Sequence, residues 1–249
     1  MSSPSSALII QNPDLTGAVT VASMPAGTLI TDAFFNRDST GIYYVKIAGS
    51  NPAEIHFVAL DGTGDTIVST FSAGQSPVSV NISPDGLNFV ANLSNSGNSV
   101  LILRPVAGGA DTTIASFTGA TAGQVVFSPD GTKLLFSRNS SVSTAELTVI
   151  NVDGTGQTAI AAVPNEQYYG AWSPDGTKVA YIHRPSVNNQ YNEIWVANPD
   201  GSNPVRIAGP SAVGDVYAGI NWRLSGGPVP SDPTTTTPTS DPVAPAFTG

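Results

Sequence analysis

Apolar positions along this chain fall in short runs, each closed by Gly, Pro, Asp, Asn or Ser. Leu134-Leu-Phe136, Leu147-Thr-Val-Ile150, Val179-Ala-Tyr181 and Ile194-Trp-Val196 are typical. Val, Ile, Tyr, Phe and Thr dominate the runs, and no long stretch keeps the 3.6-residue period of an amphipathic helix. Such segments read as β-strands joined by tight turns. The turns recur at a fixed interval. Ser83-Pro84-Asp85-Gly86, Ser128-Pro129-Asp130-Gly131 and Ser173-Pro174-Asp175-Gly176 are spaced by 45 residues, twice over. Two of them continue in step, Phe127-Ser-Pro-Asp-Gly-Thr-Lys133-Leu-Leu-Phe136 matching Trp172-Ser-Pro-Asp-Gly-Thr-Lys178-Val-Ala-Tyr181. A degenerate copy, Phe35-Asn-Arg-Asp38-Ser-Thr-Gly41-Ile-Tyr-Tyr44, lies 47 residues before the first full one.

A second turn keeps nearly the same beat. Asp61-Gly62-Thr63-Gly64, Asp153-Gly154-Thr155-Gly156 and Asp200-Gly201-Ser202 each follow an apolar run. Val106-Ala-Gly-Gly109 fills the missing place without its Asp, and Asn12-Pro13-Asp14 resembles Asn198-Pro199-Asp200. Strand-rich units of about 40–50 residues with regular turns predict propeller blades of four antiparallel strands, a to d. In the third unit strand a ends near Phe127, b is Lys133–Ser137, c is Glu146–Asn151 and d is Thr158–Val163. Pro presets φ in the a–b turn, Asp bonds its backbone, and Gly takes φ > 0.

Four complete units occupy about residues 33–208. Leu8–Val21 reads as strands c and d of another blade, and Gly219–Trp222 as its strand a. The expectation is therefore an all-β, five-bladed β-propeller over residues 1–225, in which the N-terminal strands (7–22) complete the last blade and remove two open sheet edges. Strand b of that blade falls at Arg223–Val229, where Gly226, Gly227 and Pro228 are poor strand formers. Either that blade has three strands or something else fills the place.

Composition narrows the function classes. Nine Lys and Arg stand against 18 Asp and Glu, a formal charge of −9, which argues against a nucleic-acid partner held by a basic surface. Only 11% of residues are charged while 40% are hydrophobic, so the chain is a folding one. Without Cys there are no disulfides, thiolate metal sites or Cys nucleophiles. The first basic residue is Arg37 and the first apolar run only Ala7–Ile10, so neither a secretion signal nor membrane insertion is expected.

The F/W-S-P-D-G-T-K pattern followed by apolar residues and Phe or Tyr resembles the TolB-like propeller repeats, also found in propeller domains of prolyl oligopeptidase-type peptidases. The resemblance spans about residues 33–208 and implies the fold, because its residues shape turns and packing. TolB-like proteins commonly have six blades and an N-terminal domain; the count here is five blades.

From Gly226 the chain changes to a Pro/Thr-rich arm, 226–249, of polyproline-like reach. Phe247 is its one large apolar anchor, expected to dock on another protein subunit. Strand direction places the a–b and c–d turns on one rim. The b–c loops (Lys46–Glu54, Asn92–Ser99, Arg138–Glu146, His183–Glu193) share the other rim with the d–a loops. There Glu166, Tyr168 and Tyr169 neighbour Asn188, Asn189, Gln190, Tyr191, Asp215 and Tyr217, a set of rings, amides and carboxylates suited to a protein partner or a surface glycan.

Catalytic patterns are sparse. His56 lies mid-strand, at the position of Thr148 and Trp195, and reads as packing. His183 ends a strand b, more exposed and with no identifiable partner. G-x-S-x-G and H-E-x-x-H are absent. Asp32, Glu166 and Asp215 lie near the starts of inner strands, which leaves a five-bladed glycosidase as a minor alternative. One carboxylate per S-P-D-G turn is too few for calcium. No metal or cofactor is expected. The reading is a non-enzymatic structural, adhesion or protein-interaction module of an extracellular assembly, a phage or virus particle being one version. A periplasmic or cell-surface TolB-like scaffold is the alternative.

Overall fold

The computed structural model describes residues 7–11, 16–140, 143–160, 166–185, 192–209 and 222. Every regular element there is a strand. β1 (Ala7–Ile10) and β2 (Val19–Ser23) form a two-stranded sheet. Four four-stranded sheets follow, each an antiparallel meander in chain order. The first holds β3 (Thr28–Phe35), β4 (Gly41–Ala48), β5 (Glu54–Ala59) and β6 (Thr66–Thr70). The second holds β7 (Pro77–Ile82), β8 (Asn88–Asn95), β9 (Asn98–Pro105) and β10 (Thr112–Phe117). β11 (Ala120–Phe127), β12 (Lys133–Ser140), β13 (Ser143–Asn151) and β14 (Thr158–Ala159) make the third. β15 (Glu166–Trp172), β16 (Val179–Arg184), β17 (Glu193–Ala197) and β18 (Val205–Ala208) make the fourth. Five sheets fit five blades.

The core lies between sheets. Val45, Ile55 and Phe71 of the first sheet and its edge pack on Val80, Phe89 and Ile102 of the second. Val90, Leu101, Ile114 and Phe117 pack on Val125, Leu134, Phe136 and Ile150 of the third. Leu135, Leu147 and Ile160 pack on Trp172, Val179 and Tyr181 of the fourth. Val21, Ala22 and Met24 repeat this arrangement against Ile42, Tyr44 and Val58. The β1–β2 pair therefore stands before the first sheet as the second stands before the third. The c–d turns agree: a Cβ on Gly154 would meet Ile114 O of the preceding outer strand, and one on Gly62 would meet Val21 O of β2 at 3.4 Å. β1 and β2 thus stand against the first sheet as the c and d strands of the second sheet stand against the third. The expected closing strand, 219–222, lies outside the described residues except for Trp222. Its indole N–H donates to Ala171 O (2.9 Å), beside the first strand of the fourth sheet.

Turn chemistry explains the repeat. Ser83 Oγ donates to Asp85 (2.5 Å) and accepts the Asn88 N–H, while the Leu87 N–H donates to Asp85. Ser128–Asp130 and Ser173–Asp175 repeat the pattern. Hydrogen bonds from their own turns hold these carboxylates below the usual range, which is the role expected of them in place of calcium ligation. In the degenerate copy Asn36 Oδ1 replaces the Ser hydroxyl and accepts the N–H groups of Thr40 and Gly41. Ser39 holds the glycine place at φ 53°. Ser39→Gly is therefore expected to raise stability by about 0.5–1 kcal/mol, read as a higher midpoint in thermal unfolding. Lys133 and Lys178 reach from the a–b turns to Asn151 and Asn198 at the c–d turns, confirming that both turn types share a rim.

Two expected b–c loops are strand instead. β8 and β9 pair as far as Asn95↔Asn98. Ser96 (φ 47°) and Gly97 (φ 83°) supply the two positive φ values of a two-residue hairpin turn, so Asn92–Ser99 is not an open loop. β12 and β13 likewise pair to Ser140↔Ser143 within the expected loop Arg138–Glu146.

Candidate functional site

The site is built on the first strand of each blade. First strands of neighbouring sheets touch, β3 with β7 and β7 with β11, which places them innermost. All four break register at one level, between Ile30 and Ala33, Pro77 and Ser79, Ala122 and Val125, and Tyr168 and Ala171. An extra residue there bends the strand and re-aims a side chain. Aligned on their ends at Phe35, Ile82, Phe127 and Trp172, the strands set Asp32, Ser79, Gln124 and Tyr169 at one position. Two of the four tie one blade to the next: Asp32 Oδ2 accepts the Val80 N–H (3.3 Å) and Ser79 Oγ accepts the Val125 N–H (3.2 Å).

This axial ring is chemically uneven. Burial pushes the Asp32 carboxyl up to about 6, against the lowering effect of the Val80 hydrogen bond. Tyr169 has φ 45° and is 47% exposed. A bulky residue in that backbone region is strained, and such strain persists where the surrounding structure imposes it. Gly170 beside it imposes it here: a Cβ would sit 2.6 Å from Leu135 Cδ2 and 2.9 Å from Leu147 Cδ1. Below the ring a mouth of about 390 Å³ opens toward the S-P-D-G rim, with Asn81, Gln124, Phe127, Pro129, Gly170 and Trp172 in its wall. The indole N–H of Trp172, a residue 8% exposed, has no hydrogen-bond partner among the described residues.

The rim set expected from sequence divides. Tyr168 and Tyr169 sit on β15 with ring centroids 6.4 Å apart, and the Arg184 guanidinium lies 5.3 Å from the Tyr168 ring. Glu166 opens the same strand in register with Arg184. Asn188, Asn189, Gln190, Tyr191, Asp215 and Tyr217, and the arm anchor Phe247, lie outside the described residues. Glu166 aligns with Leu29, not with Asp32, so the two acids differ in level by three residues, roughly 10 Å along a strand.

Neither histidine lies on an inner strand: His56 is on β5 and His183 on β16, opposite Gln167 of β15. His56 on β5 is 5% exposed, stacks on Tyr44, and has Nδ1 2.9 Å from Asp65 and Nε2 3.0 Å from Glu54. Hydrogen bonding from His56 holds the Glu54 carboxyl below its ordinary range. His183 corrects the sequence reading. It is 3% exposed, with Nδ1 3.2 Å from Glu193 Oε2. The strand pairing puts it directly opposite Glu193, which also accepts from Trp195 (2.8 Å) and Arg206 (2.8 Å). Burial raises the Glu193 carboxyl, but these three bonds outweigh it and the net shift is downward. Glu54, Glu146 and Glu193 all stand at this place, opposite Lys46, Arg138 and His183. That repeated pairing was present in the sequence as a Glu ten residues after Tyr44 and Phe136, and twelve after Tyr181. Asn92, the first residue of an N-x-S/T sequon, is fully buried and donates to Ala122 O and Gly123 O.

Among the described residues no three His, Asp or Glu side chains gather to hold a metal ion, and no helix is long and apolar enough to cross a membrane. No family model and no curated protein sequence matches the chain. Solved structures do. TolB of Acinetobacter baumannii superposes with a TM-score of 0.67 at 18% identity, covering 87% of this chain and 51% of that one. A TolB-named protein of Agrobacterium tumefaciens gives 0.65 at 19%, covering 88% and 73%. An oligogalacturonate lyase of Vibrio parahaemolyticus gives 0.65 at 15%, covering 86% and 61%. The chain thus spans about half the length of the Acinetobacter protein. Its repeated S-P-D-G turns, inter-sheet cores and these superpositions establish that it has the TolB-like β-propeller fold.

Proposed function

We propose that this chain is a non-catalytic, five-bladed scaffold of the TolB-like kind, periplasmic or cell-surface, that receives a protein partner at its axial face. In this reading β1 and β2 belong to the fifth blade. The observation that carries the reading is Tyr169, an aromatic ring half exposed on a strained inner strand above a mouth walled by Trp172, Phe127 and Gln124. Aromatic anchors over a concave, partly apolar mouth suit protein recognition. The virion reading rests on composition and the arm alone, whereas the likeness to TolB structures supports the scaffold.

A photo-crosslinking amino acid at position 169 tests this in cells that make the protein. The expected result is a discrete protein adduct, absent with the probe at Ile207 on an outer strand and lost when Gln124→Arg narrows the mouth. Equal adducts from both positions, or turnover of an oligogalacturonate by the purified chain, overturns it.

A further inference from the structure

A chain of polar side chains crosses the first sheet, with His56 at its centre. His56 lies on β5 directly opposite Tyr44 of β4, and the two rings stack with centroids 5.1 Å apart. Its Nδ1 stands 2.9 Å from Asp65, which also accepts the Tyr44 hydroxyl at 2.8 Å. Its Nε2 stands 3.0 Å from Glu54, which in turn lies 3.4 Å from the Lys46 ammonium. Among the described residues these are the titratable and charged groups that face the ring. β2, packed over Tyr44 through Val21 and Ala22, carries none. The later blades build this place differently. Thr148 stands there in the third blade and Trp195 in the fourth, where the indole gives Glu193 a permanent N–H. Gln157 and Pro204 take the place of Asp65.

The hydrogens decide what this arrangement requires. An ionised carboxylate only accepts, so each short contact needs a hydrogen on the ring nitrogen facing it. The Glu54 carboxyl is lowered chiefly by the hydrogen bond from His56, with burial opposing and Lys46 adding, so it stays ionised. A neutral imidazole has one N–H and turns a lone pair toward the other carboxylate. Imidazolium satisfies both contacts. When one hydrogen leaves, the contact that opens is the one whose carboxylate returns to water at less cost. That is Asp65, whose side chain is 40% exposed against 25% for Glu54. Asp65 immediately precedes β6, the outer strand of the sheet, and the β5–β6 register slips between Ile55 and His56. The ladder is thus interrupted at the level of the ring.

We infer that His56 is a proton-operated latch on β6. With a hydrogen on both ring nitrogens it ties Asp65, at the head of β6, to Glu54 of β5. With one it releases Asp65, and the start of β6 opens. The latched state binds the extra proton, so lowering the pH closes it. Raising the pH through the range in which imidazole discharges opens it. Because Glu54 keeps its charge below the ordinary carboxylate range, the closed state persists into mild acid. The latch is independent of the partner proposed for the axial face.

Hydrogen exchange, corrected for its intrinsic pH dependence, reads the latch. Protection at β6 (66–70) is taken as a ratio to protection at β10 (112–117), the outer strand of the second blade. Whole-chain contributions such as that of Asp32 then cancel. From pH 5.5 to pH 8 the ratio is expected to fall about tenfold in the native chain. Asp65→Asn can offer Nδ1 an amide N–H, which satisfies a neutral ring, so its ratio should stay flat. His56→Gln has no ring proton to lose and should also stay flat. At pH 5.5 the nitrogen-15 spectrum of the native chain should show both His56 ring nitrogens protonated. A flat ratio in the native chain, an equal fall in either variant, or a neutral His56 ring at pH 5.5 overturns the inference.

Discussion

Arg104→Ala is expected to lower stability by about 3 kcal/mol, a fall in melting temperature of roughly 6–12 °C for a chain of this size. Arg104 is 7% exposed on β9 and grips Asp111 with two bonds of 2.7 Å. Its guanidinium lies 4.2 Å from the centroid of the buried Phe71 ring, and Nη1 reaches Ser69 Oγ and Thr70 O at 3.4 Å. One side chain thus staples the second blade to the outer strand of the first. Truncation leaves Asp111 unpaired and uncovers Phe71, so two losses combine. Replacing both charges, Arg104→Met with Asp111→Val, should recover most of the loss, because the pair's desolvation disappears with it. Urea unfolding of the single and double variants measures this. A loss under 1 kcal/mol for Arg104→Ala contradicts the staple.

Asp32→Asn is expected to act in the opposite direction, and only at neutral pH. The folded chain holds this carboxyl near 6, above its ordinary value of 3.8. Between those values the folded state binds more protons than the unfolded one. Stability therefore falls as pH rises through this window, and the whole penalty is present above it. Two units correspond to at most about 3 kcal/mol, and a partly solvated carboxyl realises less, about 1–3 kcal/mol. Asn keeps an oxygen for the Val80 N–H and removes the charge. Melting temperature should therefore rise at pH 8 and barely change at pH 4. An equal gain at both pH values, or a loss at pH 8, contradicts it. A position that sacrifices stability for a buried charge on the axis is where function is expected to lie. On the scaffold reading, Asp32→Asn should weaken the adduct formed from position 169.

The blades were legible because each is written by local chemistry. Ser, Asp and Gly of the a–b turn satisfy one another within six residues, so their spacing survives in the chain as a visible 45-residue period. The same locality identified β1 and β2 as an outer strand pair. The hairpins at 95–98 and 140–143 were misread as open loops because polar residues at the end of an edge-exposed hairpin look like loop. His183 was misjudged for a different reason: Glu193 lies opposite it only once β16 and β17 are in register.

The axial ring was harder to see. Asp32, Ser79, Gln124 and Tyr169 lie about 45 residues apart, carry four different side chains and share no motif. An extra residue in each of β3, β7, β11 and β15 brings them to one level, and such a bulge is set by inter-blade packing. Turn spacing, strand composition and the Pro/Thr-rich, Cys-free character of the arm belong to the sequence alone, since each depends on neighbours within a few positions. Which carboxyl is pushed toward neutrality and which tyrosine is strained are properties of the packed sheets. They arise where strands distant in the chain press on one another and exclude water, and no local pattern encodes that pressure.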